Sequence, residues 1–149
     1  MCIRDRLGTI PDNLRVFKPH STGANWTNKS PWGECVWYVY NRARELGGYH
    51  LYSMGDGGNW RYSAARGHCG TKIISKPVAG CALSTVGGAY GHIMFVEAVN
   101  PDGSVWVSEY NYIRKKYSER LLPAGYIRSR NGVFIDIGVS QNANNMMKH

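Results

Sequence analysis

Two reactive side chains in this sequence, a cysteine and a histidine, are followed by polar residues that are able to support them. The four positions are Cys35, His92, Glu109 and Asn111. A thiolate attacks a carbonyl carbon, an imidazole beside it takes and returns a proton, and a carboxylate or amide orients the imidazole. Each residue alone also has an ordinary structural explanation, such as a buried cysteine or a strand-end carboxylate. Their joint placement in the fold is what would make a cysteine hydrolase.

Cys35 opens a segment that has the spacing of an amphipathic α-helix. Its apolar positions are Val36, Val39, Tyr40, Ala43 and Leu46. Gly47 and Gly48 follow as a C-terminal stop. A cysteine at a helix N-terminus feels the positive end of the helix dipole, which favours the thiolate, and its free amide is a donor for an oxyanion. We expect Glu34 to face solvent, because its carboxylate opposes a thiolate.

The histidine and the two polar residues lie on a predicted β-hairpin. Residues 92–99 and 104–110 are rich in β-branched and aromatic side chains, and residues 100–103, Asn-Pro-Asp-Gly, are of the types that a tight turn requires. His92 opens the first of these strands, and Glu109 and Asn111 close the second. The pattern therefore predicts that all three residues come together at the end away from the turn.

Two registers of this hairpin remain open from the sequence. If the turn is centred between Pro101 and Asp102, His92 lies opposite Asn111, and Glu109 shares its face. If the pairing slides by one residue on each strand, His92 faces Glu109 directly. Either register leaves a hydrogen-bond acceptor beside the imidazole.

The remaining elements indicate an α+β domain, with helices leading and strands following. A short helix is expected over 60–66 with Asn59 as its N-cap, and strands over 77–85 and 133–137. A chain of 149 residues with 43% hydrophobic residues is the size of one globular domain. No run approaches the roughly 20 apolar residues of a membrane helix, and no apolar signal-peptide core is visible.

The formal net charge of +8 predicts attraction to polyanions. A solvated basic surface, an anionic cell wall and nucleic acid all fit this charge. A nucleic-acid-binding domain predicts strong salt-dependent affinity for DNA, but no motif of that class is present, so no nucleic-acid partner is expected. Cys69 and Cys81 lack metal-ligand spacing; a bridge between them stays open, and Cys81 is expected to be a small core residue.

Three blocks of sequence resemble the CHAP domains, the cysteine, histidine-dependent amidohydrolases/peptidases. They are residues 33–39 (GECVWYV), 91–97 (GHIMFVE) and 108–112 (SEYNY). The resemblance extends over residues 25–137 and implies a papain-like α+β fold, in which an N-terminal helix carrying the nucleophile packs on an antiparallel sheet. It implies Cys35 as nucleophile, His92 as general base, Glu109 as the residue orienting His92, and Asn111 as a fourth polar member.

The resemblance also implies a substrate. CHAP domains hydrolyse amide bonds of peptidoglycan, either the link between muramic acid and L-alanine or a bond of the stem or cross-bridge peptide, as phage endolysins or bacterial autolysins. We expect no cofactor and a monomer, and four aromatic residues to line the peptide groove. These are Trp60, Tyr90, Tyr110 and Tyr112. Some members bind calcium through an Asp-rich loop before the cysteine, but residues 25–33 contain no Asp or Glu, so no metal is expected.

The expected organisation is a lead-in over 1–24, a catalytic domain over 25–139 and a polar tail over 140–149. Residues 1–6 (MCIRDR), which include Cys2, resemble translated adapter sequence and are left out of the functional argument. Action at the cell wall without a signal peptide suggests a phage-encoded protein released by host lysis. The alternative function is a non-catalytic wall-binding module of the same fold.

Overall fold

The computed structural model describes residues 5–21 and 33–139. The helices are α1 Cys35–Glu45, α2 Trp60–Ala65 and α3 Ala124–Ser129. The strands are β1 Arg6–Leu7, β2 Lys72–Ile74, β3 Ala82–Thr85, β4 His92–Val99, β5 Val105–Ile113, β6 Lys116–Leu122 and β7 Val133–Asp136. Short 3-10 turns occupy Asp12–Leu14, Gly57–Asn59 and His68–Gly70. The predicted α+β class is confirmed.

All seven strands form one antiparallel sheet in the order β1-β6-β5-β4-β3-β7-β2. Helix α1 packs on β4 and β5 near the middle of this sheet. The core between them contains large apolar side chains from both, including Tyr38, Val39, Ile93 and Phe95. A second apolar cluster joins α3 to residues of β3 through β6. The sheet thus has buried residues on both faces, and the helix that begins at Cys35 is fixed against its centre.

Helix α1 begins at Cys35, as its spacing predicts, and ends one turn before Gly48, whose N–H donates to the Ala43 carbonyl at 2.7 Å. Its buried face also carries Arg42, whose guanidinium forms two 3.0 Å bonds with Glu97 of β4. Both side chains are almost fully buried. This buried ion pair joins the helix to the sheet in addition to the apolar packing, since a buried charge requires a partner.

The hairpin of β4 and β5 follows the first of the two predicted registers near its open end. Phe95 pairs with Ser108 and Val96 with Val107, so the partners there sum to 203 as expected for a turn between Pro101 and Asp102. Closer to the turn the register shifts by one, because a bulge between Val96 and Ala98 inserts an extra residue. The extra residue is Glu97, and the bulge lets its side chain reach Arg42.

Several expectations for the other elements need correction. The strand expected over 77–85 is confined to Ala82–Thr85, and the helix expected over 60–66 ends at Ala65. Asn59 precedes α2 but makes no side-chain capping bond, because it already belongs to the turn Gly57–Asn59. Strands β1, β2 and β6 and helix α3 were not predicted.

The lead-in, expected to be irregular, contributes to the fold. Ile10 and Phe17 are buried. Although residues 1–6 resemble adapter sequence, Asp5 bonds Arg120 and Arg6–Leu7 pair with β6 as an edge strand, so Asp5 and Arg6 enter the structural argument. The expected boundaries of the catalytic domain stay a prediction. The segment considered for calcium lies outside the described residues except for Gly33, and Cys2 and the tail 140–149 lie outside them entirely. Cys69 and Cys81 are both free thiols, and Cys81 is buried in the core as expected.

Candidate active site

The structure brings Cys35, His92 and Glu109 together at one end of the sheet. Cys35 is the first residue of α1, and His92 is the first residue of β4. The imidazole Nε2 lies 2.7 Å from Glu109 Oε1, and the side chains of Cys35 and His92 are hydrogen-bonded. With Nε2 on the carboxylate, Nδ1 is the nitrogen left for the thiol. The arrangement places one hydrogen-bond partner on each side of the imidazole.

His92 holds its proton more strongly than an ordinary histidine. Burial by itself lowers the pKa of His92, but hydrogen bonds to Cys35 and Glu109 and the charges of both partners outweigh it and raise the pKa to about 9. At neutral pH the ring is therefore an imidazolium. A neighbouring imidazolium favours the thiolate form of a cysteine, which is the nucleophilic form.

Glu109 is 0% exposed and is held from two sides. One side is His92; the other is Arg120 of β6, whose Nε donates to Oε2 at 2.6 Å and whose Nη2 donates to Oε1 at 2.9 Å. Such forked bonds are strong and fix the plane of the carboxylate. Sequence reasoning missed Arg120, because nothing local in a strand of mixed polar residues marks it as the partner of a carboxylate eleven residues earlier.

Asn111 does not contact His92 in the way that the simple strand pattern predicts. Its backbone has a positive φ of 74°, and β5 is irregular beyond Tyr110. The side chain turns to Glu34, donating to Oε2 at 2.8 Å, while Lys115 Nζ lies 2.8 Å from Oε1. Glu34 is half-exposed, as expected, but it is also neutralised by Lys115. The carboxylate next to the nucleophile thus lines the same cleft as Cys35, with its charge offset by Lys115.

Cys35 and His92 line a cleft of about 430 Å³. Backbone from Gly55–Gly57 and Gly91, and the exposed ring of Tyr90, form other parts of its lining. A slightly larger cavity of about 500 Å³ lies elsewhere, lined in part by Arg15, Arg42 and Glu119. That cavity contains no cysteine, so the smaller cleft is the place for nucleophilic chemistry.

The four aromatic residues that were expected to line the groove divide into one that lines the cleft and three that do not. Tyr90 is 69% exposed and lines the cleft. Trp60 is 0% exposed, its Nε1 donating to the Gly55 carbonyl, and Tyr110 is buried among other aromatic rings, so both expectations are corrected. Tyr112 is half-exposed but lies over the Arg120 guanidinium at 3.7 Å and is not among the residues lining the cleft. Aromatic residues adjacent to site residues in sequence were thus mostly used for packing.

Among the described residues, no three His, Cys, Asp or Glu side chains lie close enough to hold a metal ion. Within the same ranges, none of the helices is both long and apolar enough to cross a bilayer.

The chain is similar to a known family and to proteins named for cell-wall hydrolysis. The CHAP domain family model matches residues 25–111, which include Cys35, His92 and Glu109. An N-acetylmuramoyl-L-alanine amidase sle1 of Staphylococcus epidermidis is 39% identical over 114 residues, which are 74% of this chain and 34% of that protein. A Staphylococcus aureus protein named "Probable autolysin SsaALP" is 32% identical over 124 residues, covering 82% of this chain and 46% of that protein.

The fold has a similar solved structure. A crystal structure of an N-acetylmuramoyl-L-alanine amidase from Staphylococcus aureus matches with a TM-score of 0.70 at 29% identity, over 87% of this chain and 37% of that chain. The chain spans about a third of the length of the amidases it matches, 34% for the first relative above. The likeness therefore concerns one part of longer proteins.

Proposed function

The chain belongs to the CHAP domain family, and from this premise we propose that it hydrolyses an amide bond of bacterial peptidoglycan, with Cys35 as the nucleophile. The observation that carries the proposal is the hydrogen-bonded row of Cys35, His92 and Glu109 at the mouth of an open cleft. These residue types in this order are those of cysteine hydrolases. A wall-binding module has no use for an imidazolium held between a thiol and a buried carboxylate.

In the first step the Cys35 thiolate attacks the amide carbonyl carbon, and the carbonyl oxygen becomes an oxyanion. The backbone amide of Cys35, at the free end of α1, is the donor we assign to that oxyanion. As the tetrahedral intermediate collapses, the C–N bond breaks and the His92 imidazolium gives its proton to the leaving amine. A thioester on Cys35 and a neutral His92 remain.

In the second step water attacks the thioester carbonyl while neutral His92 takes one of its protons. The C–S bond then breaks, the acyl product leaves as a carboxylic acid that loses its proton to solvent, and the thiolate–imidazolium pair is restored. Glu109 keeps the ring oriented through both steps and stabilises its charged form. Asn111 and Lys115 contribute by binding the Glu34 carboxylate, and the ammonium of Lys115 offsets its charge beside the thiolate.

The bond that is cut is the finer part of the proposal. The similar proteins are named for the amide between muramic acid and L-alanine, and this bond is our first candidate. A bond of the stem or cross-bridge peptide is the alternative, since the choice depends on the shape of the groove around the same chemistry. Either substrate places the action of the protein at the cell wall. The monomeric state stays a prediction.

Digestion of purified peptidoglycan sacculi tests the function. We expect the wild type to release soluble fragments with new amine and carboxylate termini, and Cys35→Ala to release none above the background of uncatalysed hydrolysis. Mass spectrometry of the fragments identifies the bond: free L-alanine N-termini indicate the amidase, and shortened peptides indicate the endopeptidase.

Cys69→Ala is the matched control, because Cys69 is the other partly exposed free thiol among the described residues. It should digest sacculi at the wild-type rate. If folded wild type leaves sacculi of several wall types intact, the catalytic proposal is wrong and the wall-binding module takes its place. If Cys35→Ala digests as fast as wild type, the mechanism is wrong.

A further inference from the structure

A row of alternating charges runs across four neighbouring strands, starting at the site. His92 begins β4, Glu109 lies on β5, Arg120 lies on β6, and Asp5 directly precedes β1, the edge strand beside β6. The contacts along the row are all short: 2.7 Å from His92 to Glu109, 2.6 and 2.9 Å from Glu109 to Arg120, and 2.8 Å from Arg120 to Asp5. The row extends beyond residues 25–111, the span that matches the family model.

The sheet register places Arg120 against Glu109. Glu109 pairs with Ser118, so Arg120, two residues further along β6, is its diagonal neighbour on the same face. Arg120 donates hydrogen bonds to both carboxylate oxygens of Glu109, and Oε1 is at the same time bonded to His92 Nε2. The fork therefore determines which oxygen faces the imidazole and in which plane it lies.

Arg120 is itself held rigidly. Its side chain is 3% exposed, its Nη1 bonds Asp5, and the ring of Tyr112 covers the guanidinium at 3.7 Å. The Tyr112 hydroxyl donates to the same Asp5 oxygen at 3.1 Å. A guanidinium fixed by a carboxylate on one side and a ring on its face has little freedom to rotate. It is therefore able to impose its orientation on Glu109.

We propose that Arg120 is a positioning residue, which fixes the plane of the buried Glu109 carboxylate and aims its Oε1 at His92 Nε2. A carboxylate that loses its fork is free to rotate, and its hydrogen bond to the imidazole then loses the short distance and alignment on which its strength depends. A Glu109 carboxylate that has turned away no longer supports the imidazolium. Arg120 thus acts on the nucleophile through two intermediate residues and touches neither the substrate nor the thiol.

Alkylation of Cys35 by iodoacetamide across pH tests this without any substrate, with peptide mapping to separate Cys35 from the other cysteines. In Arg120→Met we expect the pKa of His92, read from this profile and from NMR titration of the ring, to fall from about 9 toward its ordinary 6.5, because the hydrogen bond to Glu109 that raises it is no longer aligned. On sacculi we expect kcat to fall about 10- to 100-fold, as for other supporting residues, with KM little changed. The sacculus readout rests on the proposed function, whereas the alkylation readout does not.

The matched control is Arg15→Met, which removes another fork on a largely buried glutamate, Glu119, and leaves in place the Arg42–Glu97 pair that joins α1 to the sheet. It should lower thermal stability but leave the alkylation profile of Cys35 unchanged. A second control combines Glu109→Gln with Arg120→Met. Because Arg120 acts through Glu109, the double variant should be no slower than Glu109→Gln alone.

Arg120→Lys keeps the positive charge and loses the forked hydrogen bonds. It also provides a test of the proposal if Arg120→Met does not fold. It should lower kcat and the pKa of His92 in the same direction as Arg120→Met but by less, because a single ammonium holds one oxygen of Glu109 and cannot fix both. The proposal is overturned if the folded variants show the wild-type profile and kcat, or if Arg120→Met raises the pKa of His92. The latter result would mean that Glu109 keeps its bond to His92 without Arg120, so that only the loss of a positive charge is felt at the ring.

Discussion

At the scale of single residues, the proton on His92 sets the pH range in which the site can work. The imidazolium pairs with the thiolate and later protonates the leaving amine, so the ring must be charged when a cycle begins. Burial lowers the pKa of His92, and its bonds to Cys35 and Glu109 raise it to about 9. A group with a raised pKa keeps its proton through the neutral range and loses it as the pH rises through about 9.

We therefore expect kcat/KM for wall hydrolysis to stay high through neutral pH and to fall on the alkaline side with an apparent pKa of about 9. Glu109→Gln removes one of the charges that hold the proton, so its alkaline limb should move to lower pH. Initial rates of fragment release across the alkaline range measure both. A wild-type limb centred near 6.5, the ordinary histidine value, would contradict the assigned hydrogen bonds.

The residues of the site were predictable where chemistry and local pattern agree. Cys35 begins an amphipathic helix and His92 begins an apolar strand, and both features are legible in the sequence. The direction of the Asn111 side chain was not predictable, because its positive φ breaks the strand alternation on which the prediction relied. Arg120 and Lys115 were missed because their partners, Glu109 and Glu34, become neighbours only through the sheet and the docking of α1.

At the scale of elements, a loop and a strand meet at the site with almost no space between them. A Cβ on Gly57 would lie 2.4 Å from the His92 carbonyl carbon and 2.6 Å from the Ile93 nitrogen. Gly91, at a φ of +67°, packs in the same way against Gly58. Ser84 fastens the loop by donating to the Gly57 carbonyl at 2.7 Å. The close approach fixes the position of the His92 backbone relative to the loop that lines the cleft.

Gly57→Ala should displace the start of β4 and with it the imidazole. A shift of about 1 Å at a reacting group costs roughly 100-fold in rate, whereas overpacking costs about 1–3 kcal/mol of stability. We expect the loss of kcat/KM per folded molecule to exceed what the loss of folded protein explains, as measured by hydrolysis assays beside chemical denaturation. Gly8→Ala is the control, since its nearest neighbour is a Trp106 side-chain atom at 3.6 Å. Full activity of Gly57→Ala would show that the loop does not position His92.

Elements were predictable in proportion to how apolar their buried faces are. The start of α1 and the span of β4 agree with prediction because their core residues recur at helical and apolar strand spacing. Strand β6 was missed because its sequence, KYSERLL, buries Ser118, Glu119 and Arg120. Those charges are stabilised by partners far along the chain, such as Arg15 for Glu119, and no local pattern reveals such pairs.

At the scale of the whole molecule, the net charge of +8 should matter for reaching a polyanionic wall rather than for the reaction. Long-range attraction raises the encounter rate with an oppositely charged surface and is screened by salt, with a Debye length of about 10 Å at 0.1 M. The interactions within the site are different: Glu109 is fully buried and His92 lies against it at 2.7 Å, so added salt screens them much less. Varying the salt concentration therefore distinguishes the encounter with the wall from the reaction in the site.

We expect the initial rate on walls that retain their anionic teichoic polymers to fall about tenfold between low and high salt, within the range known for electrostatically steered encounters. Walls from which those polymers have been stripped by acid should show a much smaller fall, and alkylation of Cys35 should show none. Fragment release and alkylation are measured in the same salt series on the same protein. Equal salt sensitivity on both kinds of wall would mean that the positive charge is a solvated surface with no part in substrate encounter, and a salt-sensitive alkylation rate would place the effect in the site itself.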